Sequence, residues 1–114
     1  MAEAKVREAA ELIKNILRDR NITVDRIVIF GSYARGNYAG SSDIDIAIVS
    51  RDFDGKDVFQ KAEMLKGLKW TLVEKFELAF DIVPVSLKQW QESSSLVVDF
   101  IKEGQTLLTT DDRP

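Results

Sequence analysis

The chain contains no cysteine and no histidine. The first absence excludes disulfides and thiolate metal sites. The second removes the commonest general base and the usual zinc ligand. Any metal must then be held by oxygen, which favours magnesium, manganese or calcium. Positive charge is not in excess: 16 Lys and Arg against 19 Asp and Glu leave a net charge of -3. Such a balance supplies no field for non-specific binding to nucleic acid, so nucleic acid is not an expected partner. No apolar run approaches the roughly 20 residues of a membrane span. The first residues, Met1-Ala2-Glu3-Ala4-Lys5, are charged and helical in pattern rather than signal-like. A reducing cytoplasm is the expected location, with no membrane partner. The 114 residues suit one domain, 1–114, with a single core.

What is present reads as alternating helices and strands. Segment 1–20 is the N-terminal helix. Over residues 3 to 20, Val6, Ala9, Ala10, Ile13, Ile16 and Leu17 fall on one stripe, and Asn21 is the expected stop. Arg26 to Phe30 reads as a short buried strand. Gly31-Ser32 turns the chain, Tyr33-Ala34-Arg35 makes a helical turn, and Asn37 to Ser42 is a polar loop. Asp43 to Val49 alternates as a strand. Asp57 is placed to cap a helix running to about Phe76, with Val58, Ala62, Leu65, Leu68, Leu72 and Phe76 inward. Glu77 to Val85 reads as a third strand, ended at Pro84. Leu87 to Gln91 is one helical turn. Ser94 or Ser95 caps a short helix to Lys102, which Gly104 stops. Thr106 to Leu108 adds an edge strand, and 109–114 is a frayed tail. The fold class is α/β (α+β): a small mixed sheet of three to five strands, helices on one face and the functional site on the other.

The chemistry concentrates in Gly31-Ser32-Tyr33-Ala34-Arg35-Gly36 and in Ser42-Asp43-Ile44-Asp45-Ile46. Alternation puts Asp43 and Asp45 on one strand face and Ile44, Ile46 and Ile48 on the other. Two carboxylates so close repel, and a divalent cation between them resolves the conflict. Asp81 sits mid-strand among apolar residues, which is expensive unless it is paired or metal-bound. If its strand lies beside the second, three carboxylates converge. Gly31 allows close backbone approach, and Ser32 offers a hydroxyl and an N–H to a phosphate. Arg35 stands one turn later, within reach of a phosphate oxygen. Taken singly, each feature has an ordinary explanation. Gly-Ser marks a turn, Asp-x-Asp a solvated strand face, Arg35 a surface charge, and Asp81 an ion pair with a lysine. The four-residue pattern of Gly31, Ser32, Asp43 and Asp45 arises by chance in roughly one chain in a thousand of this length, from residue frequencies of about 5–7% each.

Gly31-Ser32, then ten residues, then Asp43-x-Asp45, with Asp81 on a later strand, resembles the nucleotidyltransferase superfamily of DNA polymerase beta. The short chain is similar to its smallest branch, the minimal nucleotidyltransferase domains, over about residues 24 to 108. The resemblance implies a nucleotidyltransferase fold. It implies that Asp43 and Asp45 hold two magnesium ions and that Asp81 holds one of them. It implies that Gly31 and Ser32 bind the nucleotide phosphates, and Arg35 matches an arginine often found in the motif. ATP is the implied substrate. The branch also implies a small helical partner of the HEPN class, in a toxin–antitoxin pair whose nucleotidyltransferase half AMPylates the toxin.

With no histidine present, Asp81 is the candidate to accept the proton of the attacking hydroxyl. Larger relatives carry a second domain for the acceptor or base; its absence here points to a partner that completes the site. Two other readings remain open at this point: a silent binding module that neutralises a partner by occlusion, and a small-molecule nucleotidyltransferase. Two readings stand for the tryptophans: Trp90 covers the end of the sheet, or the surface near Trp90 or near Trp70, which lies off the apolar stripe of its helix, docks a partner.

Overall fold

The computed structural model describes residues 2–34, 43–92 and 95–109. Arg35, the loop 37–42 and the tail beyond Thr109 lie outside them. The elements run α1 (Ala2–Asp19), β1 (Arg26–Phe30), α2 (Gly31–Ala34), β2 (Ile44–Ser50), a 3-10 turn (Arg51–Phe53), α3 (Val58–Met64), α4 (Leu68–Phe76), β3 (Phe80–Ser86), α5 (Leu87–Glu92), α6 (Leu96–Lys102) and β4 (Gln105–Thr109). The strands form one mixed sheet in the order β3-β2-β1-β4. β1 is antiparallel to both β2 and β4, and β2 runs parallel to β3.

α1 forms because its apolar residues recur at helical spacing. Val6, Ala9, Ala10, Ile13 and Leu17 are all buried. It ends where Asn21 takes a left-handed φ of 64°. The Ile22 N–H donates to Leu17 O at 2.8 Å and the Asn21 N–H to Arg18 O at 2.9 Å, a Schellman closure that satisfies the last carbonyls. Together with Leu68, Leu72 and Phe76 of α4, this stripe covers Ile27, Ile29, Ile44, Ile46, Ile48 and Phe80 on one sheet face.

The opposite face is not bare. Val28, Phe30, Ala47, Val49 and Val85 are covered by Val98 and Ile101 of α6, with Leu87 and Trp90 of α5 at the margin. The longer helices thus pack on one face, and the carboxylate face carries short helices beyond the carboxylates themselves. Trp90 belongs to that cover. Its ring meets the Arg26 guanidinium at 5.3 Å and the Lys102 ammonium at 4.9 Å. Trp70, by contrast, is exposed.

Three expectations change in detail. The helix from Asp57 to Phe76 is two helices, broken where Gly67 adopts a φ of 81°. The break shifts the helical phase, so Val58 and Ala62 face solvent while Leu68, Leu72 and Phe76 stay buried. The third strand begins at Phe80, because Glu77 ends α4 in the left-handed region with φ 56°. It also continues through Pro84 to Ser86. Proline is tolerated there because, among the described residues, β3 is an edge strand paired with β2 alone.

Gly104 follows α6 as expected but lacks the positive φ of a glycine stop. Its role is close packing: a Cβ there would strike Ile29 O and approach Phe30 Cα to 2.9 Å.

Candidate active site

Strand directions assemble the site. Because β1 and β2 are antiparallel, the end of β1 meets the start of β2, and Phe30 pairs with Asp45. Because β2 and β3 are parallel, Asp45 stands directly opposite Asp81. Partners in adjacent strands point to the same face about 4.8 Å apart. Gly31, Asp45 and Asp81 therefore line one end of the sheet, on the face away from α1. Asp43 lies two residues before Asp45 and is exposed. Ile44 behind it anchors the strand start, its N–H donating to Ala79 O at 2.8 Å.

Gly31 is required at its position twice over. Its φ of 76° is one that side-chain-bearing residues avoid. A Cβ would also run into Asp45 Oδ2 and sit 3.3 Å from Asp45 Cγ. The carboxylate of Asp45 thus rests against the bare backbone where the chain turns into α2. Ser32 is the second residue of that helical turn.

The electrostatics match the geometry. Burial pushes the Asp45 carboxyl above its ordinary value, and the negative charges of Asp81 and Asp43 push it further. All three predicted carboxylates are therefore close enough to interact. Among the described residues, no three acidic side chains stand gathered into a ready metal cage. Asp81 Oδ1 pairs with Lys69 Nζ of α4 at 3.6 Å. The ordinary explanation for Asp81, an ion pair with a lysine, holds, and Lys69 stands beside the strand pair that carries Asp45 and Asp81. The donor set nonetheless fits a hard divalent cation. It is all oxygen, its charges are mutually repulsive, and it faces backbone with no side chain in the way.

Of the six residues singled out from sequence, the structure brings Gly31, Asp43, Asp45 and Asp81 together. It carries the Ser32 backbone at the turn, and Arg35 lies outside the described residues. Lys69 and Gly104 were not found by motif. Lys69 comes from another helix, and Gly104 was legible only as a turn residue. A cavity of about 510 Å³, lined by Lys14, Arg18, Asn21 and Thr23 among others, lies near the start of β1, at the other end of the sheet. It contains none of the motif residues.

Comparison with known proteins gives the same chemistry a family. A family model described as a nucleotidyltransferase domain matches residues 10–105. A Methanocaldococcus jannaschii protein, provisionally named a protein adenylyltransferase, is 30% identical over 91 residues, covering 78% of this chain and 82% of the relative. A crystal structure of a toxin–antitoxin with AMP-PNP superposes with a TM-score of 0.62 at 25% identity, covering 98% of this chain and 77% of that one. A variant of the MntA–HpeT toxin–antitoxin, with two aspartates changed to glutamate, superposes at 0.58 with 25% identity, covering 91% of this chain and 75% of that one. A match across this much of the chain, on a sheet of this topology, settles the family: the protein belongs to the nucleotidyltransferase domain family and is a nucleotidyltransferase.

Proposed function

We propose that the protein moves AMP from ATP to a hydroxyl on a partner protein, with magnesium, as the antitoxin of a toxin–antitoxin pair whose toxin is a HEPN-class helical protein. The observation that carries this reading is the pairing of Asp45 with Asp81 across parallel strands, beside the bare turn at Gly31. The printed descriptions of the relatives supply the rest of its support: protein adenylyltransferase, AMP-PNP and toxin–antitoxin.

In this reading Asp43 and Asp45 would hold two magnesium ions, and Asp81 would contribute to holding one of them. When bound, such ions stabilise the attacking and leaving oxygens of an in-line displacement. The chain's own residues do the positioning. The Gly31 backbone, free of a Cβ, admits the triphosphate beside Asp45, and the N–H groups at Gly31 and Ser32 orient its oxygens. Arg35 follows the same turn in sequence and is assigned to the phosphates. Asp81, half-exposed at the sheet edge, accepts the proton of the incoming hydroxyl. The hydroxyl oxygen bonds to the α-phosphorus, the bond to the bridging oxygen breaks, and pyrophosphate leaves. A site open at a sheet edge suits an acceptor delivered by another protein. No described helix is long and apolar enough to cross a membrane, and we assign the protein to the cytoplasm.

The test is intact-mass spectrometry of the co-expressed toxin after incubation with magnesium and ATP. The expected result is a mass gain of one AMP per toxin chain, absent with Asp81→Asn. A toxin neutralised without any mass change would replace this reading with occlusion.

A further inference from the structure

Lys69 is the one cation the described ion pairs place on a motif carboxylate. It is the second residue of α4, and the buried Leu68 and Leu72 fix that helix on the core. The helix position therefore holds the Lys69 side chain at the β3 edge, where Asp81 stands on the last strand of the sheet. The Nζ–Oδ1 distance is 3.6 Å, with the two side chains 57% and 50% exposed. A pair so exposed is screened and readily displaced.

We propose that Lys69 is the internal counter-cation of the site: it holds Asp81 in the metal-free protein and competes with the divalent ion for it. This rests on the metal reading above. In the metal-free state the ammonium offsets part of the repulsion among Asp43, Asp45 and Asp81. In the loaded state a dication takes over that task, and Lys69 must release Asp81. The competition lowers the affinity for metal alone. The site then takes its metal together with the triphosphate, whose own negative charge tips the exchange, rather than holding an ion at rest.

The experiment is a Mn2+ titration without nucleotide, with free Mn2+ read by electron paramagnetic resonance. It compares wild type, Lys69→Met, Lys69→Arg and Asp43→Asn, each checked for fold by circular dichroism. Methionine keeps the stem and offers no hard ligand. Lys69→Met is expected to bind Mn2+ about three- to tenfold tighter than wild type, an advantage that shrinks as salt is added. Lys69→Arg should stay near wild type. Equal or weaker binding by Lys69→Met would overturn the proposal. If that occurs while Asp43→Asn still loses Mn2+, the metal reading stands and only the role of Lys69 falls. If neither wild type nor Lys69→Met binds Mn2+ alone, the role of Lys69 falls, and the metal reading falls with it if calorimetry also shows no magnesium-dependent ATP binding.

Discussion

The carboxylate of Asp45 lies against the backbone of Gly31, so close that a Cβ on residue 31 would strike its Oδ2. The two parts of the motif are thus one physical object. The glycine is a turn residue and also the wall of the carboxylate's pocket.

Gly31→Ala should therefore lose function and stability together. A φ of 76° costs a residue with a side chain about 1–2 kcal/mol, and the methyl must also displace Asp45. Urea denaturation should show a loss of at least that size, and calorimetry should show no magnesium-dependent ATP binding. Wild-type ATP affinity in this variant would separate the turn from the site.

Asp45 gives a pH dependence with a definite sign. Its carboxyl is raised in the folded protein above the ordinary 3.8. Below the unfolded value the group is protonated in both states, and its favourable contribution is fully present. That contribution is lost as pH rises through the raised folded value. In chelator, Asp45→Asn should match wild type near pH 3.8 and become relatively more stable as pH rises towards neutrality. Thermal midpoints across that range measure it. A variant that is less stable than wild type at neutral pH would assign Asp45 a structural role.

Much of this site is legible in the sequence. Asp45 and Asp81 each interrupt an apolar alternation, and alternation fixes the face a side chain takes. The parallel pairing of their strands is not legible there, since nothing local in either segment specifies its neighbour. Lys69 was invisible for the same reason: its partner is on a different element. The split at Gly67 was missed because Val58, Ala62 and Leu65 continue the helical stripe of Leu68 and Leu72 without a break in pattern. Only the backbone angle at Gly67 reveals the change of phase. Asp57 was readable because a capping box is local. Its side chain accepts from the Gln60 N–H at 2.8 Å, and the Gln60 side chain accepts from the Asp57 N–H at 2.8 Å.

That cap provides a control. α3 fully buries none of its residues, and its ties to the rest of the fold are at its C-terminal end, where Met64 packs on the core and its carbonyl accepts from Arg20 at 2.8 Å. Asp57→Ala should cost about 1 kcal/mol in denaturation while leaving ATP binding unchanged. A large loss of ATP affinity would mean that α3 takes part in the site.

Gly104 packs the end of α6 against the strand that leads into the turn at Gly31. Its Cβ would approach Phe30 Cβ to 2.8 Å, immediately before Gly31. Gly104→Ala should destabilise by roughly 1–3 kcal/mol through overpacking, and because β1 must shift, it should also weaken ATP binding. Denaturation and calorimetry on the same sample check both. Unchanged stability would show that the β1 end yields freely.

The central claim is that Asp43, Asp45 and Asp81 carry out transfer at the α-phosphate of ATP. The direct measurement is label transfer to the co-purified partner from ATP labelled at the α- or the γ-phosphate. The account predicts that α-label is transferred with magnesium, that γ-label is not, and that chelator, Asp45→Asn or Asp81→Asn abolishes transfer. Transfer of γ-label, or α-label transfer undiminished in Asp45→Asn, would contradict it.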